Sequence, residues 1–590
     1  MMRPWFSVWL LAITSLIAED GDVDEFSRAP YIQQVGADFG CLVWRTENSI
    51  DPIVRYGQDW KNLTNSLPES AIAIRREAKG NKELENGSMK PRPLHSPPKG
   101  TRQFEATFSG LKPDTRYYYA IYDDDKRLTP NDQSYHFRTA PMPGSKKRAH
   151  FWVVGDSGTG EKRQSKVHDA MLDYVKEVNQ PIDFCLHLGD MAYSKGTDSQ
   201  FQRKYFEVYD ETLRNTVVWP AMGNHEGVSS NGATGVGPYY DAFVCPTKGE
   251  VGGVGSGTEA YYSFDYGRIH FVVLDSFDVD RSGQGVMAQW LKEDLNRVNK
   301  ADWLIAYWHH PPYTKGSHDS DRSKESIEIR ENILPILESH GVDVVLTGHS
   351  HIYERSMLMD GAYSTPTVVD QVILDDGDGD PKGDGAYRKL PNLAPHQGTV
   401  QVVAGNGGED VERLGTMPVM KRVIVENGSV LVTIEGNVLK AVMIDFEGGV
   451  RDRFQLVKQD GVLVKRLSNP RTLPPYVPPG SSVPKDYVGI IGQGDSWQYH
   501  VGATDPTGWP NESMVASQWS TGKMPIGDAR AGLKTQLTAM ANAGQRLYVT
   551  HEFELSEEMD PKRLGIAVEY RDGFIGYVNG HEVVRQGVEK

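Results

Sequence analysis

Five short segments in the middle of the chain each end an apolar run with side chains that can bind metal ions. These segments span residues 151–156, 185–193, 219–226, 304–310 and 344–351. Together they offer two aspartates, a tyrosine, an asparagine and several histidines, each just past its apolar run. One such segment means little, because a Gly-Asp pair after a strand is usually a turn. The set as a whole predicts one shared site built from separate loops.

The donor atoms of this set indicate which metals the site would hold. Carboxylate, amide and imidazole ligands without thiolates favour iron, zinc or manganese over softer metals. A carboxylate shared by two ions would hold them about 3.5–4 Å apart, which is the spacing of a two-metal hydrolytic centre. Such a centre makes hydroxide available near neutral pH, because cations lower the pKa of bound water. The residues therefore predict hydrolysis assisted by two metals.

The five segments lie in a region where apolar strands alternate with amphipathic helices. In the helix predicted near 285–298, Leu291 adjoins Trp290 and precedes Leu295 by four residues. The three side chains therefore lie on one face and form an apolar stripe. This alternation predicts an α/β domain over 148–460 with a sheet covered on both faces. Ligands bind beyond the carboxyl ends of strands in such sheets, so the five segments should meet at one edge. Further helices are predicted near 164–178, 201–213 and 323–339.

Strand-rich regions are predicted on both sides of this domain. Residues 28–141 contain short alternating strands, and a Pro-Asp turn before an aromatic strand resembles a tyrosine corner. Within that region, the charged and proline-containing segment 71–100 is predicted to be a long loop. A proline-rich linker is predicted over 465–485 and an all-β module over 486–590.

The order and content of the five segments resemble the purple acid phosphatases, a family of calcineurin-like metallophosphoesterases. The matching sequences are Gly-Asp-Ser-Gly (155–158), Gly-Asp-Met-Ala-Tyr (189–193), Gly-Asn-His-Glu (223–226), His-His-Pro-Pro-Tyr (309–313) and Gly-His-Ser-His (348–351). The resemblance implies an α/β fold, namely a metallophosphoesterase β-sandwich flanked by helices in an αββα arrangement. It also implies that the preceding region is a fibronectin III-like β-sandwich.

The resemblance further implies a ligand set for two metal ions. A ferric ion would be held by Asp156, Asp190, Tyr193 and His351. A divalent ion (zinc, iron or manganese) would be held by Asp190, Asn224, His309 and His349, with Asp190 as the bridge. Tyr193 is the discriminating residue, because a phenol with a pKa near 10 binds as phenolate only to a strongly polarising ion such as Fe(III).

Two further histidines are predicted by the same resemblance to act on the substrate. His225 would contact a phosphate oxygen and stabilise the charge that develops on it. His318 follows His309 by nine residues, where plant members of the family carry a histidine, and would protonate the leaving alkoxide. Plant members often continue with a second histidine, whereas this chain has Asp319.

Other polar residues of these segments are predicted to be structural. His187 is expected in the core of its strand, and His310 is expected to support the loop rather than bind metal. Glu354 and Arg355 are predicted to form an ion pair that braces the last loop.

The C-terminal module resembles the galactose-binding-like jelly-roll modules of secreted bacterial enzymes. The resemblance lies in Trp497, Trp509, Trp519 and the segment 577–585. We expect the tryptophans to be core residues rather than a surface on which sugars stack. Contact with carbohydrate or a cell surface is nevertheless predicted for the module as a whole. A hairpin is predicted between 564–570 and 574–579.

Composition and the N-terminus narrow the partners and the location. The formal charge of −16, from 63 basic and 79 acidic residues, disfavours nucleic acid as a partner. Three widely separated cysteines exclude a disulfide scaffold.

Arg3 followed by the apolar run 5–17 predicts a signal peptide over 1–18, with an uncleaved anchor as the alternative. The run falls short of the roughly 20 residues that span a bilayer. We expect a secreted protein, extracellular or periplasmic, without membrane attachment after cleavage.

These inferences combine into an expected activity and two alternatives. The chain is expected to be an acid phosphatase-like enzyme that hydrolyses phosphate monoesters by attack of a metal-bound hydroxide. One alternative is a phosphodiesterase or nucleotide hydrolase that uses the same centre. The other is a surface-binding protein in which the metal domain is inert.

Overall fold

The computed structural model describes residues 26–77, 100–476 and 478, together with short stretches beyond residue 495. Those stretches are 496–502, 519–523, 526–527, 535–536, 546–551, 574–578 and 581–586. The chain divides into two compact units, Met1–Pro474 and Pro475–Lys590. The predicted signal peptide lies outside the described residues.

The first part of the chain forms two antiparallel sheets. Its strands are β1 (Arg28–Gln33), β2 (Gly40–Thr46), β3 (Pro52–Gly57), β4 (Asn65–Ser66), β5 (Ile72–Glu77), β6 (Arg102–Phe108), β7 (Arg116–Asp123), β8 (Lys126–Arg127) and β9 (His136–Arg138). One sheet has the order β1-β2-β6-β5, and the other β4-β3-β7-β8 with β9 also on β7. Strand β2 is buried along its whole length, and its Trp44 stacks on Phe104 of β6 with ring centres 5.2 Å apart.

The structure tests two predictions for this sandwich, the tyrosine corner and the long loop from Ala71. The Tyr117 hydroxyl accepts a hydrogen bond from the Lys112 N–H at 2.9 Å, which is the contact expected of a tyrosine corner. The prediction of a loop from Ala71 is wrong at its start, because Ile72–Glu77 pairs with β6 as a strand. Its alternating isoleucines favour an edge strand despite the charged residues that follow. Residues 78–99 of the predicted loop lie outside the described residues.

The central domain is built on two larger sheets. Its strands are β10 (Ala149–Val154), β11 (Phe184–His187), β12 (Val218–Pro220), β13 (Tyr262–Tyr266), β14 (Ile269–Val273), β15 (Trp303–Trp308), β16 (Val344–Thr347), β17 (Tyr353–Ser356), β18 (Leu358–Met359), β19 (Ile373–Asp375), β20 (Tyr387–Lys389), β21 (Val400–Ala404), β22 (Met420–Ile424), β23 (Gly428–Glu435), β24 (Val438–Asp445) and β25 (Val450–Lys458). Within the described residues, the first sheet has the order β12-β11-β10-β23-β24-β25-β20, and the second β13-β14-β15-β16-β21-β17-β22. Strands β18 and β19 form a separate pair.

Aromatic and branched side chains fill the space between the two large sheets. Phe151 of the first sheet stacks on Phe184 at 5.0 Å, and Phe271 of the second sheet meets Phe151 edge-on at 5.5 Å. The strands that carry them are buried along their whole length, as expected for strands covered on both faces. The predicted β-sandwich core is therefore confirmed.

Helices cover the outer faces of these sheets. They are α1 (Lys162–Glu177), α2 (Asp198–Phe201), α3 (Asp210–Leu213), α4 (Pro238–Ala242), α5 (Val286–Arg297), α6 (Lys324–Glu328) and α7 (Leu334–Ser339). Helix α1 buries Val167, Ala170 and Met171, which share one face at helical spacing.

Two of the predicted helices contain a π-helical segment. A π-helical segment, Gln202–Phe206, separates α2 from α3, and another, Ile329–Ile333, joins α6 to α7. In the second case Pro335 stands in the first turn of α7, where it has no N–H to donate to the preceding turn. The wider turn before it accommodates this missing donor.

The second unit is described only as strands. These are β26 (Ser496–Gly502), β27 (Ser520–Lys523), β28 (Ile526–Gly527), β29 (Thr535–Gln536), β30 (Arg546–Thr550), β31 (Phe574–Val578) and β32 (His581–Gln586). Strand β26 lies between β27 and β30, β28 pairs with β29, and β31 pairs with β32. The strand 574–578 of the predicted hairpin thus pairs with 581–586, while its predicted partner segment 564–570 lies outside the described residues. Among the helices of the described residues, none has the length and hydropathy needed to cross a membrane.

Candidate metal centre

The predicted ligands follow five strands of the two central sheets. Strands β10, β11 and β12 run parallel to one another, as do β15 and β16, so the loops after them leave from the same ends. The side chains that follow these strands are Asp156, Asp190 and Asn224 in one sheet, and His309, His349 and His351 in the other.

Three of these residues have left-handed backbone conformations that aim their side chains inward. The φ angles are +56° at Asp156, +57° at Asp190 and +64° at His349. Residues other than glycine rarely adopt this conformation, which costs about 1–2 kcal/mol at each position. Strain of this kind at three loops of one site indicates a functional constraint on side-chain placement.

Two glycines allow the loops to approach one another closely. A Cβ atom on Gly223 would lie 2.1 Å from Asp190 Oδ1, and one on Gly348 would lie 2.4 Å from Asp156 Oδ2. Any side chain there would displace a carboxylate of the site. The Gly-Asn-His and Gly-His-Ser-His sequences therefore need glycine for a steric reason.

The first cluster consists of Asp156, Tyr193 and His351. The Tyr193 hydroxyl lies 3.2 Å from Asp156 Oδ1 and 3.3 Å from His351 Nε2, and the last two atoms are 3.6 Å apart. A point equidistant from three atoms so spaced is about 2 Å from each, which is the bond length from zinc-like metals to oxygen or nitrogen. The donor set and its spacing therefore fit a small cation.

The second cluster consists of Asp190, Asn224, His309 and His349. Asn224 Oδ1 lies 2.9 Å from both His309 Nε2 and His349 Nδ1, and His309 Nε2 lies 3.2 Å from Asp190 Oδ2. Ligand atoms of Asp190, His309 and His349 all lie within 4.8 Å of one another. These oxygen and imidazole donors fit a divalent ion such as zinc, iron or manganese.

The loops of the two clusters are joined through Asp156 and Asp190. The Asp156 N–H donates to the Gly189 carbonyl at 3.0 Å, and the Gly158 N–H donates to the Asp190 carbonyl at 3.1 Å. The Asp156 carboxylate also accepts the His349 N–H at 2.8 Å, which ties the first cluster to a ligand of the second. The two clusters are therefore parts of one site.

Burial and neighbouring charges shift the pKa values of three candidate ligands, Asp156, Asp190 and Tyr193. Burial raises the pKa of Asp156 well above its usual value, and the Asp190 carboxylate adds to that effect. Burial would also raise the pKa of Asp190, but His309 and His225 together outweigh burial and lower it. Burial likewise raises the pKa of the Tyr193 phenol well above 10, and Asp156 raises it further. Bound cations would stabilise the charged forms of these buried groups.

The two predicted substrate-side histidines border the clusters. The His225 ring is about one-third exposed and has Nδ1 at 2.7 Å from the Ser194 carbonyl and Nε2 at 3.9 Å from Asp190 Oδ2. The His318 ring stacks on His349 at a centroid distance of 3.9 Å, and its Nδ1 lies 2.9 Å from Ser317 Oγ. Burial, with help from His309, lowers the pKa of His318.

Asp319 does not join these groups. Its carboxylate pairs with Lys315 and lies 3.5 Å from Arg322 Nε. The residue after His318 thus serves ion pairs in this chain and not the candidate centre.

Of the residues predicted to be structural, His187 and His310 make buried polar contacts, whereas Glu354 and Arg355 do not pair with each other. His187 is buried with Nε2 at 2.9 Å from Ser157 Oγ, and His310 is buried with Nδ1 at 2.9 Å from Ser276 Oγ. The predicted Glu354–Arg355 ion pair is wrong, because neighbours in a strand point to opposite faces. Arg355 instead forms an ion pair with Asp452 at 2.6 Å. Glu354 accepts a hydrogen bond from the Thr314 hydroxyl at 2.5 Å.

Sequence reasoning did not identify three acidic residues around the site. The Glu226 carboxylate accepts four backbone N–H groups from the loops after β11 and β12. Glu409 and Glu412 belong to the glycine-rich loop after β21, and their N–H groups donate to the Asp156 and His351 carbonyls at 3.2 and 3.0 Å. The signal was present, since Gly405-Asn-Gly-Gly408 follows an apolar strand like the other segments.

Comparison with known proteins agrees with this geometry. Residues 149–353 match the calcineurin-like phosphoesterase family, and residues 40–139 match the purple acid phosphatase N-terminal domain. Purple acid phosphatase 23 of Arabidopsis thaliana is 31% identical over 274 residues, which cover 42% of this chain and 56% of that protein. Purple acid phosphatase 15 of the same plant is 30% identical, with 46% of this chain and 52% of that protein covered. The chain thus spans little more than half the length of these relatives.

A solved structure shows the same fold. A purple acid phosphatase from yellow lupin (Lupinus luteus) seeds superposes with a TM-score of 0.55 at 19% identity, over 73% of this chain and 75% of that one. Fold and sequence matches together place the chain among the calcineurin-like metallophosphoesterases. The N-terminal match narrows this class, because residues 40–139 are similar to the N-terminal domain of the purple acid phosphatases, a resemblance that implies a dinuclear metal centre. The fold class predicted from the sequence and the predicted resemblance to the purple acid phosphatases are confirmed.

Proposed function

We propose that this chain hydrolyses phosphate monoesters at a dinuclear metal centre. The observation that supports the proposal is the meeting of seven candidate ligand side chains, from five loops, in two adjoining clusters. In the first cluster the three donor atoms are 3.2, 3.3 and 3.6 Å apart, a spacing that suits one cation. The second cluster supplies the donors for another.

The ligand assignment follows the composition of the clusters. Asp156, Tyr193 and His351 would hold Fe(III) together with Asp190, since a phenolate ligand suits a strongly polarising ion. Asp190 would also serve the divalent ion, for which the remaining ligands would be Asn224, His309 and His349. When bound, the two cations supply a hydroxide nucleophile near neutral pH and neutralise charge on the phosphate.

His225 is suited to hold a phosphate oxygen. Its Nδ1 faces the Ser194 carbonyl, so Nδ1 carries a proton and donates it, which fixes the ring and leaves Nε2 directed at the site. A protonated Nε2 would donate a hydrogen bond to the substrate and stabilise the charge on it during reaction.

His318 is suited to deliver a proton to the leaving oxygen. Its ring is held by stacking on His349 and by Ser317, whose hydroxyl also accepts the His351 N–H at 2.9 Å. These contacts place the ring beside the second cluster with part of its edge open. Loss of this proton donor should affect substrates with poor leaving groups most.

The first experiment measures metal content, the visible spectrum and phosphatase rate together. We expect the purified protein to contain about two metal ions per chain, with a purple or pink band from the Fe(III)–phenolate pair. Tyr193→Phe should remove the band, and Asp190→Ala should remove both metals and lower kcat/KM about a thousandfold or more. Asp173→Ala, at an exposed position of α1, serves as the matched control. Full activity and full metal content in Asp190→Ala would refute the assignment.

The second experiment compares model phosphate monoesters and diesters. We expect the higher kcat/KM on monoesters, because His225 and the two cations together suit a dianionic terminal phosphate. A higher rate on diesters would replace the proposal with a phosphodiesterase or nucleotide hydrolase. Absence of both metal and phosphoester hydrolysis would favour an inert domain with a binding role.

The proposal includes a domain layout and a location. The predicted signal peptide implies export, so the phosphatase would act outside the cytoplasm. We assign residues 28–141 to the N-terminal sandwich, 148–460 to the metal domain, 465–485 to the linker and 486–590 to the C-terminal module. That module is proposed to contact carbohydrate or a cell surface, and binding of the full chain to polysaccharide, compared with a chain ending at Pro474, tests this role.

A further inference from the structure

A second group of metal-binding side chains lies apart from the candidate centre. Glu338 stands near the end of α7, Asp360 follows β18, and His396 belongs to the loop before β21. One ligand atom from each residue lies within 4.8 Å of the other two. None of the three is a predicted ligand of the dinuclear centre.

Each carboxylate has one oxygen fixed by donors, which leaves the other oxygen available as a ligand. Glu338 Oε2 accepts the Gly361 N–H at 2.9 Å and the Tyr363 hydroxyl. Asp360 accepts the Arg466 guanidinium on Oδ2, while Oδ1 lies 3.0 Å from His396 Nδ1. Donors to the second oxygen of a ligand are the usual way in which proteins orient metal-binding carboxylates.

Glu338 Oε1 is the observation that points to a ligand. The side chain is buried, and Oε1 receives no hydrogen bond from any donor within the described residues. A buried carboxylate oxygen without a partner is costly, because its hydration is lost without replacement. Two carboxylates against the single guanidinium of Arg466 also leave negative charge uncompensated in a buried position.

We propose that Glu338, Asp360 and His396 bind a divalent transition-metal cation, for which Zn²⁺ is the best fit. Two carboxylate oxygens and one imidazole nitrogen form a three-ligand set that leaves a coordination position for water. Calcium fits less well, since it prefers six to eight oxygen ligands. The His396 ring is about half exposed, so the ion can enter from solvent.

The ion would tie together segments that are distant in sequence. The His396 N–H already donates to the Glu338 carbonyl at 3.0 Å, and Arg466 also bonds the Asp360 carbonyl at 2.6 Å. A cation that binds only the folded chain adds to stability by mass action. The proposed role is therefore structural, at the place where the chain leaves the metal domain.

The competing occupant of this position is a proton. A proton shared between Glu338 and Asp360 would also relieve the repulsion, and a neutral His396 would then donate a simple hydrogen bond. Zinc would displace such protons, so its binding should release protons to the solvent. The experiment must therefore distinguish a metal from a proton.

The test uses the full-length protein with its dinuclear centre intact, incubated with Zn²⁺ and then freed of unbound metal by gel filtration. Wild type should retain about one more zinc ion per chain than His396→Ala, and its thermal midpoint should rise by a few degrees more on zinc addition. His340→Ala, a nearby histidine outside the group, should behave as wild type. All three should hydrolyse phosphoesters equally, and Ca²⁺ should produce no difference between them.

Equal zinc retention in wild type and His396→Ala would overturn the proposal. So would an infrared band of a protonated carboxylic acid that persists in the zinc-saturated protein and disappears in Glu338→Gln. Because His396 is half exposed, His396→Ala should fold normally and decide the question even where Glu338→Gln does not. A failed phosphatase assay would leave this test unaffected, since it reads metal bound outside the dinuclear centre.

Discussion

His270 shows how a single residue holds a positive charge in the core of the second sheet. Its Nδ1 lies 2.7 Å from Asp265 and its Nε2 lies 2.9 Å from Asp294, so both nitrogens must donate and the ring is an imidazolium. Burial alone would lower the pKa of His270, but the two carboxylates raise it to about 9.

This pairing predicts a pH dependence of stability. A histidine whose pKa is higher in the folded state stabilises fully below its unfolded value near 6.5, and the contribution disappears as pH rises through 9. The shift corresponds to about 3 kcal/mol of unfolding free energy, to be measured by urea unfolding from pH 6 to 9.5. Asp265→Asn should move the loss to lower pH. Identical pH profiles for variant and wild type would contradict the prediction.

At the scale of elements, Glu226 connects the two loops that carry Asp190 and Asn224. Its Oε2 accepts the N–H groups of Asp190 and Gly223 at 2.7 and 3.0 Å. Its Oε1 accepts those of Met191 and Ala192 at 2.9 and 3.0 Å. A carboxylate is the only side chain of this size that can accept all four bonds.

Replacement of this carboxylate by an amide should loosen the metal centre. In Glu226→Gln an NH₂ group would face two N–H donors, so the loops must separate. We expect metal affinity to fall about 10- to 100-fold, measured by chelator competition, and excess metal to restore part of the phosphatase rate. Glu177→Gln, at the exposed end of α1, is the control. Unchanged affinity in Glu226→Gln would show that the loops hold their positions without it.

At the scale of the whole first unit, buried charges join the N-terminal sandwich to the metal domain. Asp198, in the first turn of α2, lies 3.3 Å from Arg28 and 2.5 Å from Arg45 of the sandwich. Arg28 is fully buried and also rests on the Phe206 ring at 3.9 Å. The sandwich therefore depends on the metal domain to neutralise its two arginines.

Removal of this carboxylate should destabilise the joint fold. Asp198→Asn would leave two adjacent guanidinium groups without a counter-charge, at a cost of about 3 kcal/mol in unfolding free energy. Urea unfolding measures the loss, and limited proteolysis should then cleave between the sandwich and the metal domain. Asp410→Asn removes an exposed partner of Arg163 and should change stability little. A loss equal to that of this control would mean that the interface does not need the charge.

Local pattern predicted the elements and the donor types well. The strands after which the ligands stand, and the apolar face of α5, follow from periods of two and of about 3.6 residues. The helix predicted near 323–339 is present, but its π-helical turn was not predicted, because Pro335 acts through hydrogen bonds within one turn, which an apolar period does not record. The strand Ile72–Glu77 was missed because pairing with β6 outweighed its charged neighbours.

The sequence by itself determined which donor atoms this protein offers and where along the chain they follow a strand, because turns and periodicity are local properties. Only the tertiary structure decided which donors share a cluster, since the distances among Asp156, Tyr193 and His351 depend on loops far apart in the chain. It likewise assigned Asp452 to Arg355, 97 residues away, and brought together the second metal-binding group. Contacts at such separation are set by how sheets pack, and no local pattern encodes them.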